Sequence, residues 1–239
     1  MTIEAVFFDV DFTLIFPGPT FEASGYRAFC ERHGLAVDVA RFDDAVRAAS
    51  RELEVGDDAT YRPEMFVRFG RRVIEEMGGR GEGIDACAQE IYDEWAVCRH
   101  FSLYADVKPA LRQLHSSGLR LGLISNTHRC LDTFQAHFDL DALIVGAVSS
   151  ADHGYMKPHP SIFESALHAM GVDAADALMV GDSLSHDVAG ARGLGMQAVW
   201  LDRSGRGQDQ GQQGQTGAEE LDVSVITSLD ELPLIVAAS

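Results

Sequence analysis

Two carboxylates two residues apart carry the first chemical signal in this chain. Asp9 and Asp11 lie in the string Asp9-Val10-Asp11-Phe12-Thr13. Side chains alternate along an extended segment, so both acids fall on one side of the departing chain. Carboxylates this close repel unless one is protonated or a cation sits between them. One nucleophile, one acid/base and a metal ion meet that requirement. Ser125-Asn126-Thr127 offers a hydroxyl and an amide that can hydrogen-bond a phosphoryl oxygen beside helix N-terminal amides, although these residue types are also ordinary helix caps. Lys157 lies in Lys157-Pro158-His159-Pro160, where the prolines stiffen the backbone. A lysine held this way is either a fixed positive charge for a phosphoryl group or a solvated surface residue. Gly181-Asp182-Ser183, with Asp187 five residues beyond Asp182, brings carboxylate oxygens, the hard ligands that magnesium prefers.

These groups need elements that bring them together. Glu4 to Phe8 reads as a short apolar strand with Asp9 at its C-terminal end. From Thr20 to about His100 the apolar spacing is helical, as in Phe66, Phe69, Val73, Ile74 and Met77. Gly34, the Gly56–Asp58 turn and the Gly78–Gly83 cluster divide that region into several helices with no strand. Beyond Leu103 the pattern changes. Leu119–Ile124, Ala142–Val148, Ala177–Val180 and Gln197–Leu201 read as strands, separated by helices at Val107–Ser117, Arg129–Phe138, Ser161–Met170 and His186–Gly193. Such alternation indicates a parallel sheet with helical crossovers. Ser204–Gly217 is Gly/Gln-rich and reads as a mobile surface loop, followed by a last strand at Val223–Ile226 and a short helix at Ser228–Ile235. The expected architecture is α/β: a parallel sheet flanked by helices, interrupted after its first strand by an all-helical insert. In open α/β sheets ligands bind at the carboxyl ends of the strands, and the four chemical clusters stand at four successive strand ends.

In this order the set resembles the haloacid dehalogenase superfamily of hydrolases. DVDFT is similar to its first motif, ISN to its second, the lysine of KPHP to its third and GDSLSHD to its fourth. The resemblance implies a Rossmann-like core formed by residues 1–15 and 103–239 and a helical cap formed by residues 16–102. It implies a magnesium-dependent phosphatase that hydrolyses a small-molecule phosphate monoester through an aspartyl-phosphate intermediate. On this reading Asp9 is the nucleophile, Asp11 the acid/base and Thr13 an aid to positioning Asp11. Ser125 and Lys157 hold the transferring group, and Asn126 assists. The metal ligands are Asp9, the Asp11 carbonyl and Asp182, with Asp187 behind them. Arg27, Tyr61, Arg62 and Arg68 in the cap are candidates for gripping the substrate. Phe12 stands where many phosphatases of the family have glycine, which leaves the chemistry intact and bears on the hinge into the cap.

The bulk properties set the remaining bounds. The chain has 239 residues, of which 46% are apolar, enough for a sizeable core. No run approaches the roughly 18 apolar residues of a membrane span, and no basic leader precedes Asp9, so a cytoplasmic location is expected. Cys30, Cys87, Cys98 and Cys130 form no CxxC pair and read as idle thiols. A formal net charge of −18 argues against a nucleic-acid partner. It also means that an anion site needs local cations. Only two of the 19 basic residues are lysines, Lys108 and Lys157. A monomer or a homodimer is expected. Family members that remove halide lack the second aspartate, and those that cleave phosphonates use a cap lysine. This chain has Asp11 and no lysine from Phe16 to Val107. A phosphomutase, or a binding protein with an idle site, stays open as an alternative.

Overall fold

The computed structural model describes residues 2–53, 59–203 and 223–238, so the Gly56–Asp58 turn and the Ser204–Gly217 segment lie outside the described residues. The chain divides into two compact units, one of residues 1–16 and 103–239, the other of residues 17–102.

The first unit is built on a six-stranded sheet. Its strands are β1 (Ala5–Phe8), β4 (Arg120–Ser125), β5 (Ile144–Ser149), β6 (Ala177–Gly181), β7 (Gln197–Leu201) and β8 (Ser224–Ile226), in the order β5-β4-β1-β6-β7-β8. Every pairing is parallel, with Ala5 opposite both Arg120 and Ala177. All residues of β1 and β6 are buried. Parallel strands covered on both faces become unbroken apolar runs, which is why AVFF and ALMVG were legible without alternation.

Helices α5 (Val107–Ser116), α6 (Leu131–Phe138), α8 (Pro160–Met170) and α9 (Ala189–Gly193) join these strands. Phe7, Phe163, Met170, Met179, Met196 and Trp200 belong to one continuous apolar cluster between sheet and helices. Gly122 in β4 makes that packing possible, because a Cβ there would come within 2.5 Å of the Met170 sulfur and 2.8 Å of the Phe7 ring.

Four elements differ from the expectation. Two three-residue strands, β2 (Ile15–Pro17) and β3 (Phe101–Leu103), pair where the chain leaves and re-enters the first unit. Segments of that length show no periodicity. A single helical turn, α7 (Ser150–His153), lies in the loop after β5, capped by Ser149 Oγ accepting from Asp152 N. The expected helix at His186–Gly193 begins as a wide π turn over Leu184–Val188 before α9.

Within its described residues the second unit is helical, with α1 (Ala23–Arg32), α2 (Phe42–Ala49), α3 (Pro63–Glu76) and α4 (Ile84–Trp95). Pro63 at the start of α3 lacks an N–H that the first turn would leave unpaired in any case. Tyr26, Phe29, Val73, Ile74, Met77 and Ile91 form its buried interior. All four cysteines are free, three of them buried and Cys130 exposed. Among the described residues no helix is long and apolar enough to cross a membrane.

Candidate active site

In strand order the chain passes from β1 to β4 on one side and from β6 to β7 on the other, so the order reverses between β1 and β6, the place where open α/β sheets bind ligands at the carboxyl ends of their strands. Asp9 and Asp182 stand there. The Asp9 N–H donates to Val180 O at 2.9 Å, which carries the β1–β6 pairing one residue past the strand and seats Asp9 beside the β6 terminus.

Lys157 comes from the loop after β5 and is 1% exposed. Its Nζ donates to Asp9 Oδ1 at 2.6 Å and to Ile124 O at 2.7 Å, and lies 2.6 Å from Asp187 Oδ1. The loop is held by Asn126. Asn126 Oδ1 accepts from Lys157 N at 2.7 Å and Nδ2 donates to Lys157 O at 3.0 Å. Asn126, expected on the substrate, therefore spends its amide on the Lys157 main chain.

Asp187 is 1% exposed and folds back beneath the end of β6. Its Oδ2 accepts from Ser183 N at 3.0 Å. The space it fills is the space a side chain at position 181 would need, since a Cβ on Gly181 would lie 2.2 Å from Asp187 Oδ2. The π turn fits this arrangement: both Asp187 N and Val188 N reach back to Ser183 O, at 3.0 and 3.2 Å. Such wide turns recur at functional sites.

Carboxylate oxygens of Asp9, Asp182 and Asp187 all lie within 4.8 Å of one another. Burial, opposed by Lys157 and reinforced by Asp187, raises the Asp9 carboxyl to about 7. Burial, then the Asp9 and Asp187 charges, raises Asp182 to about 8. Burial pulls Lys157 down, but Asp187 and Asp9 outweigh it and hold the ammonium above its ordinary range. One lysine does not balance three acids. The crowded, desolvated oxygens are a donor set that suits a hard divalent cation.

Asp11 does not join this cluster. Its carboxylate is taken by Arg129, whose Nη1 donates to Asp11 Oδ2 at 3.0 Å and Oδ1 at 3.2 Å while Nη2 donates to Oδ1 at 3.2 Å. Arg129 is 1% exposed. It was missed in the sequence, where an arginine opening a helix reads as solvated. The one available signal was its place four residues after Ser125 at a strand end. Ser125 is buried at the end of β4, and Thr13 is fully buried with no hydrogen-bond partner for its hydroxyl. Between Asp11 and Thr13, Phe12 takes φ 64°, the left-handed conformation that glycine adopts without strain.

Arg27, Tyr61, Arg62 and Arg68 all lie in the helical unit. Arg27 pairs with Glu31 at 3.7 Å, Tyr61 shares a 2.6 Å hydroxyl contact with Tyr92, and Arg68 donates to Glu52 at 3.3 Å. Arg62 is exposed at the start of α3.

A parallel α/β sheet with these residues at its strand ends defines a haloacid dehalogenase-like hydrolase. The model of that family matches residues 3–195, and the chain belongs to it. Phosphoserine phosphatase of Thermus thermophilus is 35% identical over 148 residues, spanning 59% of this chain and 56% of the relative. Glyceraldehyde 3-phosphate phosphatase of Pyrococcus abyssi is 32% identical over 203 residues, covering 83% of this chain and 81% of the relative. Among solved structures, the putative HAD-hydrolase YfnB from Bacillus subtilis superposes with a TM-score of 0.72 at 18% identity, covering 99% of this chain and 100% of the other. These two curated relatives are named phosphatases, and the chain is an enzyme of their class, the phosphoric monoester hydrolases.

Proposed function

We propose that this protein is a magnesium-dependent phosphatase that hydrolyses a small-molecule phosphate monoester through an aspartyl-phosphate intermediate. The observation that carries the reading is Asp9 itself: buried, at a strand end, 2.6 Å from the Lys157 ammonium, with two more carboxylates within 4.8 Å. Phosphatases with different named esters among the relatives, phosphoserine and glyceraldehyde 3-phosphate, support a small substrate.

The Asp9 carboxylate attacks phosphorus while the bond to the ester oxygen breaks. Asp11 gives its proton to that leaving oxygen. It then takes one from the water that attacks the aspartyl-phosphate, which releases inorganic phosphate and restores both carboxyls. Lys157 neutralises the charge of the transferring group, and the Ser125 hydroxyl donates to it. Asn126 serves by fixing the Lys157 backbone. Asp9, Asp182 and the Asp11 carbonyl would hold magnesium, with Asp187 behind them, and the ion would supply positive charge for the phosphoryl oxygens. The helical unit is read as the cap that selects the substrate. Arg27, Tyr61 and Arg62 would each trade a present contact or solvent exposure for it.

The test is hydrolysis of a panel of phosphate esters with and without magnesium, comparing wild type with Asp9→Asn. Turnover that needs the metal and disappears in the variant is expected. Absence of turnover on every ester, or full activity in Asp9→Asn, rejects the reading.

A further inference from the structure

We propose that Arg129 is a positioning residue for Asp11, fixing the orientation from which that carboxyl serves the leaving oxygen. The inference rests on the phosphatase reading and deepens it. Three observations carry it. Arg129 is the largest fully buried side chain in the protein's described residues, an uncommon placement for a guanidinium. Three hydrogen bonds join it to Asp11, so the planar fork sets both the direction and the tilt of the carboxylate. Asp11, in turn, has no other charged partner within ion-pair distance among the described residues, whereas Asp9 and Asp187 share Lys157.

The arrangement divides the work between two buried cations. Lys157 attends the nucleophile. Arg129 keeps the neighbouring acid on a separate anchor, although Asp9 and Asp11 are two residues apart. The turn between them is unusual in its own right, because Phe12 is held at φ 64°. A carboxyl next to a strained turn is not oriented by local backbone preference alone, and the fork supplies the missing constraint. Arg129 itself stands close to Thr127, whose Oγ1 accepts from Arg129 N at 3.1 Å, so the anchor is rooted in the turn after β4.

A residue that acts through Asp11 shows itself in the leaving group. An alkyl phosphate needs its departing oxygen protonated, while p-nitrophenyl phosphate releases a stable phenolate without help. kcat/KM for each ester reports the steps up to departure of that group. In Arg129→Lys and Arg129→Met we expect kcat/KM for glycerol phosphate to fall about 10- to 100-fold, within the usual range for lost acid catalysis, and that for p-nitrophenyl phosphate to fall less than about threefold. The lysine variant, which keeps the charge and loses the fork, should retain more activity than the methionine variant. An equal loss on both esters, or no loss, overturns the proposal, and so does failure of both variants to fold, which would assign Arg129 to stability alone. If the wild type hydrolyses no ester of the full panel, the phosphatase reading itself has failed and this inference falls with it; if it hydrolyses a different alkyl ester, that ester takes the place of glycerol phosphate in the comparison.

Discussion

The α/β unit contains two largely hidden carboxylates treated in opposite ways. Asp106 is saturated. Arg203 donates to both its oxygens, at 3.0 and 3.1 Å, Ser228 Oγ donates at 2.9 Å and Leu229 N at 2.8 Å. Although burial acts to raise it, the Arg203 hydrogen bond and these other donors hold Asp106 below the usual carboxylate range. The same guanidinium stacks 3.8 Å over Tyr104 and donates to Thr13 O at 2.7 and 2.9 Å, so it also steadies the backbone after Asp11. Asp9 shares its one cation with a second acid and faces a third, and it ends at about 7. The first arrangement is what stability asks of a buried charge. The second leaves charge uncompensated where a reaction can use it.

Substitutions at the two sites separate a reactive carboxylate from a stabilising one. Asp9→Asn removes the nucleophile, and kcat should drop by about four orders of magnitude or more, as for other enzymes stripped of a covalent catalyst. A smaller loss would show that Asp9 is not bonded to phosphorus during turnover. Lys157→Ala removes a pre-set charge and should cost about 10²–10³ in kcat/KM. Unchanged kcat/KM there would return Lys157 to the status of a structural residue.

Asp106→Asn should behave in the opposite manner. It weakens charge-assisted hydrogen bonds worth about 2 kcal/mol, which is roughly 4–8 °C in Tm for a unit of this size, with kcat/KM within about twofold of wild type. Because the folded pKa of Asp106 is depressed, its stabilisation is present above the ordinary aspartate range and is lost as pH falls through the folded value. The Tm gap between wild type and variant should therefore close in acid. A gap that does not narrow as pH falls below the ordinary aspartate range would contradict the saturated-carboxylate account.

The mildest effect concerns the metal-free protein. Asp9 and Asp182 have folded pKa values raised to about 7 and about 8, so they favour the fold when protonated, and that contribution is lost as pH rises through 7 and 8. Melting with chelator present should be a few degrees lower at pH 8.5 than at pH 6. Magnesium should restore most at the higher pH, and Asp182→Asn should flatten the dependence. An equal slope in that variant would remove Asp182 from the cluster.

Much of this could be read from the sequence, for physical reasons that also mark its limit. Strands buried on both faces declare themselves as apolar runs, so Asp9, Ser125 and Asp182 were found at strand ends, with boundaries shifted by a residue or two. Partners set by tertiary contact were not visible. Arg129 meets Asp11 across 118 positions and Arg203 meets Asp106 across 97, and nothing local distinguishes either arginine from a solvated one. The π turn was likewise hidden, because it answers to an Asp187 side chain seated beneath Gly181. The repulsion between Asp9 and Asp11 was expected to need one protonated acid or a cation between them; in the fold Lys157 lies against Asp9 and Asp187 while Arg129 lies against Asp11.

The grip of Asn126 on Lys157 has a separate consequence. Both of its hydrogen bonds go to peptide atoms, which every amino acid at that position except proline would present. The clamp is blind to the side chain it serves. Position 157 is thereby a socket: shorter amines, longer ones or a neutral isostere can be fitted in turn while the loop keeps its shape. The dependence of the reaction on the reach of one positive charge then becomes a quantity that can be dialled.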